Sequence, residues 1–126
     1  MKFLIVDDCE DARMFSVMKL KQAFPGAEYI EAENGVQALS IYAFTKPDVV
    51  VTDRSTPYMD GEELAKAIRS KNLVVPIFLV TGDCENVKDP SLFTEIFSKG
   101  KTDGIAEAIK LELEERRTLA PRQGAK

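Results

Sequence analysis

Acidic side chains stand where the apolar runs of this chain stop. Phe3-Leu4-Ile5-Val6 is followed at once by Asp7 and Asp8, and Val49-Val50-Val51 by Thr52 and Asp53. Pro76-Ile77-Phe78-Leu79-Val80 gives way to Thr81, and Lys99 stands two positions beyond the run Phe93 to Phe97. If each run is a strand of one parallel sheet, three carboxylates, a hydroxyl and an ammonium gather at one edge, because working residues of open α/β sheets lie just past the carboxyl ends of the strands. Three anions packed together repel, so the group asks for a divalent cation. Oxygen ligands from few carboxylates suit Mg²⁺, which keeps several waters. With Mg²⁺ present, Lys99 and Thr81 complete a cradle for a phosphoryl group: cations take its charge, while the hydroxyl and backbone N–H groups bond its oxygens. Asp53 is then placed as a carboxylate nucleophile that forms an aspartyl phosphate.

The elements that must position these groups can be read from periodicity. Val49 to Val51 is wholly apolar and β-branched, which fits a strand buried on both faces of a parallel sheet. Phe3 to Val6, Glu28 to Ala32, Pro76 to Val80 and Phe93 to Phe97 are the other strands. Between them, Asp11 to Phe24 reads as a helix lined by Met14, Val17, Met18, Leu20 and Phe24, stopped by Pro25-Gly26. Asn34, with Gln37 three positions on, opens a second helix that runs to Lys46-Pro47. Asp60 caps a third, with Leu64, Ala65 and Ile68 on one side. Thr102 or Asp103 opens the last, which carries Ile105, Ala108, Ile109 and Leu113. Alternating strands and helices at this spacing imply βαβ units, a parallel sheet and helices on both faces. A charged tail follows; residues 118–126 are expected to be flexible.

At 126 residues the chain is sized for one domain with a real core. A net charge of −4 leaves no basic footprint for nucleic acid. No apolar run nears the ~20 residues of a membrane span, and Asp7-Asp8 interrupts the first one, so no membrane association and a cytoplasmic location are expected. Cys9 and Cys84 are then expected to be free thiols. Histidine is absent, which excludes a His-based triad, a histidine metal site and an internal phosphohistidine.

Five motifs in order resemble the receiver domain of two-component response regulators. They are Phe3 to Asp8, the Asn34-Gly35 turn with Ala38-Leu39, Asp53 with Pro57 and Met59-Asp60-Gly61, Thr81-Gly82, and Lys99. The resemblance implies a doubly wound, flavodoxin-like α/β fold with five parallel strands in the order 2-1-3-4-5. It implies residues 1–117 as the domain. Asp53 matches the phosphoacceptor, Asp8 the direct Mg²⁺ ligand, and Asp7 the acid that holds the metal largely through water. Ser55 matches the position whose backbone carbonyl ligates the metal, Thr81 the switch hydroxyl and Lys99 the phosphate-binding lysine. The implied partner is a histidine kinase or histidine phosphotransfer protein, with output through contact with a further protein. The implied chemistry is phosphotransfer onto Asp53 and its slow loss to water, with no other enzymatic activity.

Several positions depart from the family pattern. Gly100 follows the lysine where proline is usual, which is expected to loosen the loop that aims Lys99. Ile96 takes the place of an aromatic that swings inward on activation, and its neighbour Phe97 is expected to point to the opposite face. Lys99 follows Thr81 by 18 positions, about one helical turn fewer than usual. Asp89-Pro90 lies in that span, so a short or missing fourth helix is expected. Arg54, directly after the phosphoacceptor position, is expected to face solvent. These departures favour an alternative, a phosphorylation-independent adaptor of the same fold with an impaired switch. A flavin or nucleotide binder is disfavoured, because no Gly-rich loop follows the first strand.

Overall fold

The computed structural model describes residues 1–124, with side chains described through 117. Its strands are β1 (Lys2–Val6), β2 (Glu28–Ala32), β3 (Val49–Asp53), β4 (Ile77–Thr81) and β5 (Glu95–Ser98), all parallel, in the order β2-β1-β3-β4-β5. The helices are α1 (Glu10–Ala23), α2 (Gly35–Thr45), α3 (Gly61–Arg69) and α4 (Ile105–Gly124). This is the expected doubly wound architecture. Within the expected tail, the backbone of α4 continues as helix to Gly124, and residues 125–126 lie outside the described ones.

The central strand β3 is buried along its whole length, as its β-branched run requires. Alternation along the strands divides the apolar side chains between two cores. Leu4, Val50, Ile77 and Leu79 face α2 and α3, with Leu64 and Ile68. Phe3, Ile5, Val51 and Phe78 face α1 and α4, with Leu20 and Ile109. Each such large side chain, fully buried, stabilises the fold by about 1.5–3 kcal/mol relative to leaving it in water. Ile96 belongs to the first side and Phe97 to the second, its ring 6.4 Å from that of Phe78. The two neighbours thus point to opposite faces, as expected.

The helix starts follow their capping residues. The Asn34 side chain accepts the Gln37 N–H at 2.7 Å. Asp60 and Glu63 form a full capping box, with bonds of 2.8 and 3.0 Å. Helix α1 corrects the sequence reading. Val17 and Leu20 are buried as expected, but Met14 and Met18 are exposed, and Arg13 joins the face turned to the sheet. Arginine was unexpected on that face; it is buried because its guanidinium finds fixed acceptors, described below.

Between β4 and β5 there is no fourth full helix. Two single turns of 3-10 helix, Cys84–Asn86 and Pro90–Leu92, stand in its place. Val87 and Phe93 anchor this segment in the first core. Proline at the start of the second turn ends any continuous helix, as expected.

Candidate functional site

Asp53 is the last residue of β3 and is buried. Asp7 and Asp8 follow β1, its hydrogen-bonded neighbour in the sheet. One carboxylate oxygen from each of Asp7, Asp8 and Asp53 lies within 4.8 Å of the others. Thr81 ends β4 and is buried. Lys99 follows β5, and its Nζ lies 3.0 Å from Asp53 Oδ2. Strand order alone therefore brings together the residues that stand after four separate runs. Ser55 is also there: its backbone N–H donates to Asp53 Oδ1 at 3.2 Å.

The electrostatics follow from this crowding. Burial pushes the Asp7 carboxyl up from the ordinary aspartate range, the Cys9 N–H opposes this, and the negative charges of Asp53 and Asp8 reinforce it. The hydrogen bond to Asp53 raises the Lys99 ammonium above the ordinary lysine value, against partial burial, and the charges of Asp53, Asp7 and Asp8 add to it. One lysine against three carboxylates leaves net negative charge in a partly desolvated crevice. Donor chemistry and spacing both fit a hard divalent cation such as Mg²⁺, which takes oxygen ligands.

Several contacts aim these groups. Cys9 N–H donates to Asp7 Oδ1 at 3.0 Å. The Lys99 N–H donates to the Thr81 carbonyl at 2.8 Å, continuing the β4–β5 pairing one step past the strand. Thr81 Oγ1 accepts the Asp83 N–H at 3.1 Å. The loop after β3 folds back so that the Gly61 N–H reaches the Arg54 carbonyl at 2.8 Å. A Cβ at Gly61 would lie 2.6 Å from the Asp53 carbonyl oxygen, so only glycine permits that return.

Two arginines fasten the elements around the site, one passed over by sequence reasoning and one misplaced by it. Arg13 Nη1 donates to the Asp7 carbonyl at 2.7 Å, and its Nε to Glu31 Oε1 at 2.8 Å, pinning the β1–α1 loop to β2. Nothing in the α1 pattern marks this arginine as different from a solvent-facing one. Arg54 does not face solvent as expected. Its Nε donates to Glu62 Oε2 at 3.1 Å and its Nη2 to the Asn86 carbonyl at 2.8 Å. Glu62 Oε1 in turn accepts the N–H groups of Lys88 and Asp89, at 2.8 and 3.2 Å. The residue beside Asp53 thus fastens the segment that replaces the fourth helix onto the start of α3. Tyr58 is the other surprise. It has φ +69° and is 86% exposed, at the centre of a tight turn in which the Met59 N–H bonds the Pro57 carbonyl at 2.8 Å. That is a strained γ-turn. Cys9 and Cys84 are both free and exposed, as expected. Among the described residues, no helix is long and apolar enough to cross a membrane.

Comparison with known proteins agrees with this geometry. The family model of the response regulator receiver domain matches residues 3–110. The chain is similar to sporulation initiation phosphotransferase F of Bacillus subtilis, 32% identical in a match that covers 86% of this chain and 90% of that protein. It is also similar to the alkaline phosphatase synthesis transcriptional regulatory protein PhoP of the same organism, 34% identical over 84 residues. That match takes in 67% of this chain and 34% of the relative, so the chain spans about a third of that protein's length. Among solved structures, a response regulator receiver domain protein from Clostridium thermocellum superimposes with a TM-score of 0.82, covering 94% of this chain and 98% of that one. At 22% identity, that likeness is one of fold.

Proposed function

We propose that this chain, which belongs to the response regulator receiver domain family of two-component signalling, works as a phosphorylation switch with Asp53 as the phosphoacceptor. The single observation that carries the reading is the buried Asp53 carboxylate, 3.0 Å from Lys99 Nζ and grouped with Asp7 and Asp8. The donor in this reading is the phosphohistidine of a histidine kinase or phosphotransfer protein. An Asp53 carboxylate oxygen attacks phosphorus, the bond from phosphorus to the donor's imidazole nitrogen breaks, and the imidazole leaves with that electron pair. Lys99 holds the phosphoryl oxygens, and the Thr81 hydroxyl turns from the Asp83 N–H to bond one of them. Asp8 and Asp53 would hold Mg²⁺ together with the Ser55 backbone carbonyl, while Asp7 holds it largely through water. When bound, Mg²⁺ neutralises charge between the attacking carboxylate and the anionic donor. Slow attack of water on phosphorus releases inorganic phosphate and restores Asp53.

The reading takes residues 1–117 as the receiver domain, followed by a C-terminal tail from residue 118. The output in this reading is contact with a further protein, in the cytoplasm. The second reading, a phosphorylation-independent adaptor, is favoured by Ile96 at the position of the switching aromatic and by the two short turns in place of the fourth helix. Intact mass after incubation with Mg²⁺ and acetyl phosphate separates the two. One phosphoryl group is expected on the wild type and none on Asp53→Asn or in excess EDTA. An adduct that persists in Asp53→Asn would remove Asp53 from its role, and an unmodified wild type would leave the adaptor.

A further inference from the structure

We propose that Gly100 is a positioning residue: it closes a tight turn that aims Lys99 at Asp53, so the proline usual in the family would impair this protein. The inference rests on Asp53 as phosphoacceptor and on the following geometry. Pairing of β4 with β5 ends at Thr81 opposite Ser98, and the Lys99 N–H makes one more bond, to the Thr81 carbonyl at 2.8 Å. The Lys101 N–H then reaches back to the Ser98 carbonyl at 3.0 Å, closing a four-residue turn over Ser98, Lys99, Gly100 and Lys101. Gly100 has φ +83°, and Lys99 is not among the positive-φ residues. A positive φ at the third position alone defines a type II turn, which favours glycine there and proline only at the second position.

Lys99 occupies that second position. Its backbone is fixed from one side by the strand and from the other by the turn, and its Nζ falls 3.0 Å from Asp53 Oδ2. Beyond the turn, Lys19 of α1 bridges to Asp103 at 2.8 Å, and the Ile105 N–H bonds the Thr102 carbonyl at 3.1 Å as α4 begins. The loop expected to be loosened by glycine therefore has a defined path, and that path needs glycine. A Cβ at Gly100 would meet nothing within 4 Å. Any substitution there acts through backbone conformation, not crowding. Alanine in the left-handed region is disfavoured by about five- to thirtyfold, asparagine much less. Proline, held near φ −65°, cannot adopt this type II turn, and closes a turn from the third position only through a cis peptide bond before it.

The test compares Gly100→Asn, Gly100→Ala and Gly100→Pro for the rate of Asp53 phosphorylation by acetyl phosphate with Mg²⁺, followed by intact mass, alone and combined with Lys99→Ala. Thermal melts identify any variant that has lost its fold; if proline does so, the alanine variant carries the comparison. The expected order of rates is asparagine above alanine above proline, with alanine about tenfold slower than wild type. In the Lys99→Ala background the same substitutions change the remaining rate by less than about twofold. A proline variant as fast as wild type, or losses that persist without Lys99, would overturn the proposal while leaving Asp53 its role. Labelling of Lys99 by an amine-acylating reagent, read by peptide mass, needs no phosphorylation. Labelling that rises severalfold in the alanine variant relative to the other lysines supports the aiming of Lys99, even if the wild type takes up no phosphoryl group. Unchanged labelling counts against it.

Discussion

Replacing Glu62 with alanine removes the centre of the fastening between β3, α3 and the β4–β5 connection. Its carboxylate is one partner of the 3.1 Å ion pair with Arg54 and accepts two backbone N–H groups, of Lys88 and Asp89. The pair is largely buried, with side chains 22% and 11% exposed, so it lies between the surface case and the fully desolvated one. Hydrogen bonds to charged groups contribute about 1.5–3 kcal/mol each when fully shielded. Exposed ion pairs contribute about 0–1 kcal/mol. Lys88 and Asp89 lie at the surface, where water can replace the lost acceptor. The expected cost of Glu62→Ala is therefore about 2 kcal/mol. Glu62→Gln keeps one carbonyl oxygen for Lys88 and Asp89 but turns an amide NH2, a donor, toward Arg54 Nε, so both the charge and the hydrogen bond to Arg54 are lost and about 1 kcal/mol is expected. Urea unfolding reads both as a lowered midpoint at constant slope. Amide hydrogen exchange locates the loss: Lys88 and Asp89 should exchange faster in both variants, most in the alanine one, while β1 and β3 amides follow global stability alone. An unchanged midpoint together with unchanged exchange at Lys88 and Asp89 would refute the assignment of this ion pair as the fastener of the segment.

Three further outcomes are expected. Asp8→Ala should weaken Mg²⁺ binding, measured by calorimetry, more than Asp7→Ala, since Asp8 is proposed as the direct ligand; equal losses would reverse the ranking. Tyr58→Gly should stabilise the fold by about 1 kcal/mol in urea unfolding, because relief of the strained positive φ outweighs the entropy of a glycine in the unfolded chain; a destabilised variant would mean that the exposed ring makes contacts worth more than the strain. The hydrogen bond from Lys19 holds the Asp103 carboxyl below the ordinary aspartate range, so its contribution is present above that range and fades as pH falls through the depressed value. A carboxyl-carbon NMR titration should show the Asp103 midpoint rising to the ordinary value in Lys19→Ala, and no change would show the bridge to be absent in solution.

The site was legible because its residues sit where periodicity changes. Asp7, Asp53 and Thr81 end apolar runs, and a parallel sheet sends every such end to one edge. Asp60 and Asn34 were legible because capping is local chemistry. What escaped the sequence depends on partners far along the chain. Arg13 is buried only because the Asp7 carbonyl and Glu31 come to meet it. Met14 and Met18 carry the right spacing for a core beside Val17 and Leu20, yet the helix turns both methionines outward and takes Arg13 inward with the other two. Arg54 looked free because its partners, Glu62 and Asn86, are 8 and 32 residues away. The positive φ of Tyr58 has no signal at all, since aromatic residues rarely adopt it.

The sheet is also a wall between two apolar compartments. Everything unusual about the β4–β5 connection, its two short turns with Val87 and Phe93, is seated in the compartment it shares with α2 and α3. The compartment on the far side, closed by α1 and α4, has its own set of buried side chains, and Phe78 and Val51 enter it from the same strands by alternation alone. Energetic changes more than about 7–10 Å apart with no shared partner tend to add independently. A chain built this way can lose a turn of helix on one side without repacking the other. The edge bearing Asp7, Asp53 and Thr81 belongs to the wall itself, so remodelling of either room leaves the carboxylates in register.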